Sequence, residues 1–108
     1  ATLVTGVVIA RNDFIAEHPE AVELFLEQYA ASVDYVISNV SDAAQLVGNY
    51  DIVAAPVAEK AIPYCNITCI TGNEMKQKLS SYLAVLAEQN PAAVGGALPE
   101  DDFYYNAD

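Results

Sequence analysis

The stretch Leu3-Val4-Thr5-Gly6-Val7-Val8-Ile9-Ala10 decides how this chain is read. It is rich in β-branched residues and almost continuously apolar, the pattern of a strand covered on both faces rather than one with a wet side. Arg11-Asn12-Asp13 breaks the run, and Asp13 can accept from backbone N–H groups to start a short turn through Phe14 and Ile15. A doubly covered strand needs neighbours to bond its N–H and C=O groups. The chain offers one further candidate, the brief extended segment Asn66-Ile67-Thr68-Cys69-Ile70-Thr71, with Ile67 and Cys69 on one side and Thr68 and Ile70 on the other. The strand therefore reads as one whose partners lie elsewhere, either in further copies of the chain or in a part of the protein absent from it.

Most of the remainder reads as helix. Pro19 stands where a first helical residue loses nothing by lacking an N–H. Beyond it Val22, Phe25, Leu26, Tyr29, Val33, Val36, Ile37 and Val40 step by three and four along one stripe, with Glu20 and Glu23 favourably placed at the positive end of the helix dipole. Ser41 is a fitting N-cap for a shorter helix that Gly48 is placed to end in a left-handed conformation. A third helix opens near Pro56 and stops at Pro63. Thr71-Gly72-Asn73-Glu74 fits the capping box of a fourth, whose stripe is Met75, Leu79, Tyr82, Leu83 and Leu86 and which ends at Asn90-Pro91. Residues 97–108 read as a tail with little regular structure, which Phe103, Tyr104 and Tyr105 could anchor by packing.

The totals exclude several function classes. A net charge of −11, from 15 carboxylates against 4 basic residues, repels nucleic-acid phosphate and anionic lipid alike. The apolar runs fall far short of the ~20 residues a membrane span requires. Cys65 and Cys69 are too few for a structural zinc site, and across a strand their sulfurs would stand about 13 Å apart, too far to bond, so both read as buried free thiols. The sole histidine, His18, suits a capping or solvent-facing place. It could act as base to a cysteine nucleophile only if the fold brought the two together. Glu100-Asp101-Asp102 lacks the alternating oxygens of a calcium loop. No glycine-rich loop follows the strand to hold a phosphate. No catalytic residue, metal site or cofactor is expected.

The end of the chain carries a resemblance. Asn90-Pro91-Ala92-Ala93-Val94-Gly95-Gly96-Ala97-Leu98-Pro99-Glu100-Asp101-Asp102-Phe103-Tyr104-Tyr105 looks like the terminal signature of bacterial ABC-importer substrate-binding proteins. Val7-Val8-Ile9-Ala10-Arg11-Asn12-Asp13-Phe14, then His18-Pro19-Glu20-Ala21-Val22, is similar to the strand-to-helix passage of the same proteins and of the wider nitrate, sulfonate and thiamine-precursor binding group. Cys65-Asn66-Ile67 through Thr71-Gly72-Asn73-Glu74-Met75-Lys76 resembles a third passage.

The resemblance implies a type II periplasmic-binding fold of two α/β lobes, of which residues 1–108 form the C-terminal third. That gives an α/β fragment with one main strand and four or five helices, part of the first lobe and its terminal helices. It implies a non-enzymatic solute receptor, extracytoplasmic or lipid-anchored, whose partners are a small-molecule solute and an ABC permease. It also places Thr5 and Gly6 toward the hinge and cleft as ligand-side residues. The alternative from another class is a stand-alone helical module that self-associates as a homo-oligomer through its exposed strand.

Overall fold

The computed structural model describes residues Thr2–Ala107; Ala1, and Asp108 at the end of the expected tail, lie outside the described residues. The chain falls into two compact units, one contiguous over residues 10–69 and the other assembled from residues 1–9 and 70–108.

The contiguous unit is helical throughout. Its elements are α1 (Asn12–Glu17), α2 (Pro19–Ser38), α3 (Val40–Asn49), α4 (Ala55–Ala61) and a 3-10 turn at Ile62–Tyr64. Each packs on the next, and the 3-10 turn also reaches α3. The short turn expected through Phe14 and Ile15 is α1, but Asp13 lies inside its first turn and does not cap it: the helix is entered from Arg11, whose guanidinium binds the Asp13 carboxylate at 3.2 Å. The long stripe breaks at Asn39, where φ −135° and ψ 57° leave helical space, so Val40 opens α3 instead of closing α2. Asn39 rather than Ser41 is thus the entry to α3.

Of the stripe on α2, Val22, Leu26, Val33 and Val36 turn inward and Val33 is buried, whereas Phe25, Tyr29 and Ile37 remain exposed. The stripe is wider than the surface available to cover it. Phe25 and Tyr29 shield one another instead, with ring centroids 5.5 Å apart.

Helices α3 and α4 meet through small residues. Ala43, Ala44 and Ala58 are buried, and a Cβ added at Gly48 would lie 3.0 Å from the Ala55 Cβ and 3.1 Å from its amide nitrogen. Gly48 is therefore inside α3 to permit close approach, not after it as a left-handed cap. The left-handed residue past the helix is Asp51, at φ 56°.

The second unit is built on α5 (Gly72–Gln89), followed by 3-10 turns at Pro91–Val94 and Asp101–Phe103. Thr71 precedes α5 as expected, but the Thr-x-x-Glu box does not close, and no side chain caps the helix. Gly72 holds φ +64° at the first helical position, a left-handed backbone at the residue that follows the cap. Asn90 does cap, its Oδ1 accepting from the Ala92 N–H at 3.2 Å. Past Pro99 the chain is less loose than a tail, since it makes a 3-10 turn and buries Tyr104 at 7% exposure.

The expectation of an α/β fold with a main strand at residues 3–10 is overturned. Among the described residues there is no strand and no sheet. Residues 2–10 carry no helix or strand, and none of their backbone groups takes part in a hydrogen bond. Leu3 is 68% and Ile9 81% exposed. The physical reason is pairing. A helix closes its own N–H to C=O ladder, but an extended segment becomes a strand only beside another, and residues 66–71 do not supply it.

The interior is correspondingly thin. Among the described residues the buried apolar set is Val33, Ala43, Ala44, Ala58 and Tyr104, three of them alanines with little side chain to withdraw from water. The accessible surface is 8063 Å². Two separate compact bodies of half this mass would together expose about 7,000 Å² by the usual scaling of area with mass.

The α3–α4 contact yields a prediction. Gly48→Val gains a few tenths of a kcal/mol in helix propensity but drives branched carbons into the Ala55 backbone, for a net loss of about 1–3 kcal/mol. Circular-dichroism melting should show a transition several degrees lower. An unchanged or higher midpoint would show that the two helices do not approach closely.

Candidate functional site

The residues expected on the ligand side lie against α5. Thr5 and Gly6, with Val4 and Val7, form one wall of a shallow groove of about 200 Å³ whose other wall is Leu79, Tyr82 and Leu83. The three α5 residues follow helical spacing along the stripe read from the sequence, and all are half-buried. The groove is apolar, its polar side chains being those of Thr5 and Tyr82. At this size it falls below the ~300–1,000 Å³ of a pocket that encloses a small molecule. It can hold an apolar edge but cannot surround a solute.

On the polar side of the same helix, Asn73, Lys76, Gln77 and Ser80 line a furrow of about 340 Å³. Four positions on one helix face make a surface furrow rather than a cleft between walls. Lys76 is the residue with most to do. Its Nζ meets the Asp101 carboxylate at 3.1 Å and stands 5.9 Å above the Tyr104 ring, while its side chain is only 22% exposed. Phe103 meets Tyr104 edge-on at 5.2 Å and 87°. The long stem thus lies under the closing turn of the chain, and the ammonium at its tip draws that turn's acidic start toward α5. Nothing in sequence spacing joins Lys76 to Asp101 and Tyr104; a basic residue ahead of an acidic-aromatic end is the sole hint.

The remaining candidates are not brought together. His18 lies at the junction of α1 and α2, makes no side-chain cap, and packs its ring against Phe14 at 4.9 Å. Cys65 was expected buried but is exposed, because the chain at residues 65–71 lies at the surface instead of inside a sheet. Its Sγ–H donates to the Ala61 carbonyl at 3.3 Å. Cys69 is half-buried and, like Cys65, unbridged. Among the described residues no three His, Cys, Asp or Glu side chains are grouped as a metal would require, and no helix is long and apolar enough to cross a membrane. Glu100 and Asp102 face solvent beside Asp101.

Two substitutions weigh the clip on α5. Tyr104→Ala removes a buried ring and should cost about 3 kcal/mol. Lys76→Met keeps the stem but loses the ammonium's contacts with a solvent-exposed carboxylate and with the ring, and should cost less, about 1 kcal/mol. Urea denaturation of both would show this ranking, and equal losses would mean that the charge, not the ring, fastens the end of the chain.

Comparison of the chain with known protein families, with curated proteins and with solved structures returned no match.

Proposed function

We propose that this chain is the C-terminal part of the solute-binding component of an ABC-type importer, which captures a small molecule outside the cell and hands it to a membrane permease without transforming it. The terminal run from Asn90 to Tyr105 and the passage from Val7 to Val22 support the family reading. The observation that carries it is the unfinished interior. More than half the residues are apolar, yet five are buried among those described, and Leu3, Val7, Val8, Ile9, Phe25, Ile37 and Ile52 all face water. Large apolar side chains left exposed in both units are surface made to be covered. In a two-lobed receptor the remainder of the parent covers it.

The mechanism follows from that arrangement. A solute that touches both lobes stabilises the closed over the open form, and the permease distinguishes the two. In this chain Thr5 and Gly6 are the residues assigned to the ligand side. Thr5 brings a hydroxyl, and Gly6 brings backbone that a solute can approach, since no atom lies within 4 Å of the Cβ it lacks. The groove they line is one wall of a site, so the chain alone should not retain solute.

The test compares the 108-residue chain with the polypeptide encoded by the whole reading frame, by thermal shift against nitrate, alkylsulfonates and pyrimidine precursors. The longer protein should rise in melting temperature with at least one of them, by an amount that grows with ligand concentration. The chain alone should not respond. Saturable stoichiometric binding by the chain alone, or a reading frame that encodes no second lobe, would sink the proposal.

A further inference from the structure

Residues 3–9 read almost the same in both directions. Turned about Gly6, Leu3 stands opposite Ile9, Val4 opposite Val8, Thr5 opposite Val7, and Gly6 opposite itself. We propose that two copies of this chain associate by antiparallel pairing of residues 3–9 about a two-fold axis at Gly6. The inference concerns the 108-residue chain by itself and competes with the transport reading for these residues, since in a two-lobed receptor the remainder of the parent would cover them.

Four observations support it. The segment is extended, and its N–H and C=O groups make no hydrogen bond among the described residues, so the donors and acceptors of a ladder are available. Every opposed pair other than Gly6 with itself joins an aliphatic residue to another aliphatic or to Thr, which favours cross-strand contact. Residues 1–10 carry no ionisable side chain, although the chain as a whole bears −11, so two copies can meet here without setting like charges opposite one another. The first charge, Arg11, is already engaged with Asp13 at 3.2 Å.

The fourth observation is the groove. A two-stranded ribbon alone is marginal in water and needs a helix against it. Here Leu79, Tyr82 and Leu83 of α5 already back Val4 to Val7, so each copy contributes a helix as well as a strand. The pairing is isologous and closes at two copies. Each chain remains all-helical apart from the new ladder, which belongs to the pair. Seven residues a side make a small interface, so the dimer should be weak, with a dissociation constant in the micromolar range or above.

Sedimentation equilibrium of the 108-residue chain should show a reversible monomer–dimer exchange, with a β-sheet amide I band growing alongside the dimer. Val8→Glu sets a carboxylate opposite Val4 and should shift the exchange at least tenfold toward monomer. Val8 is 58% exposed, so helicity should be unchanged. Register is read by disulfide trapping in a Cys65→Ser, Cys69→Ser background. A mixture of Leu3→Cys and Ile9→Cys chains should cross-link, because opposed residues lie within disulfide reach. Leu3→Cys alone should not, since in this register its two copies stand about 20 Å apart. The proposal is overturned by a monomer at every concentration, by a dimer insensitive to Val8→Glu, by open-ended polymers, or by cross-linking of Leu3→Cys to itself.

Discussion

The satisfaction of backbone hydrogen bonds governs this molecule. Each helix meets the requirement within its own length, which is why α1 to α5 form where periodicity, proline and polar breaks allow. Residues 3–9 cannot meet it alone. Their composition favours extended backbone, which requires a neighbour, and no other part of the described chain provides one. The most β-prone sequence in the molecule is therefore left as an apolar ribbon in water, and the helices close around too little to hide their own aromatic and aliphatic residues.

That shortage shapes the packing. Helices α3 and α4 meet through alanine and glycine, and Gly48 against Ala55 brings their backbones close together. Close approach of small residues gives definite geometry but withdraws little apolar area, so the large side chains of α2 remain half wet and pair among themselves, as Phe25 does with Tyr29. In the other unit a single buried ring, Tyr104, fastens the closing turn to α5, with Lys76 beneath it and Asp101 at its tip. The groove beside Thr5 and Gly6 is shallow for the same reason: it has one helical wall and one extended wall, and nothing roofs it.

Local signals proved legible where the chain itself could satisfy them. Pro19, Pro63 and Asn90-Pro91 marked helix limits because a proline's effect on its own turn needs no outside partner. The inward positions of α5, and Val22, Leu26, Val33 and Val36 of α2, followed from periodicity, whereas the alternation expected over residues 67–70 fails at Ile70, which is half-buried like Cys69. What failed depended on distant or three-dimensional facts. Residues 3–10 carried the composition of a strand without its pairing. Gly48 looked like a cap because its closeness to Ala55 is not written in sequence. The Thr71 box stayed open, with Gly72 left-handed directly after it. Of the candidate site, the apolar stripe of α5 was visible beforehand, whereas the clip of Lys76, Asp101 and Tyr104 joins residues that no spacing rule connects.

The division of the chain carries a consequence for its biogenesis. Residues 10–69 are continuous, so on a ribosome this unit is complete before α5 has been made. The other unit is split around it: residues 2–9 are made before residues 10–69 yet must wait until these have followed to receive Leu79 and Tyr82. Closing that long loop costs less entropy once its interior has already condensed. Until then an apolar peptide is left waiting, and it carries no charge of its own with which to repel a neighbour on the same message.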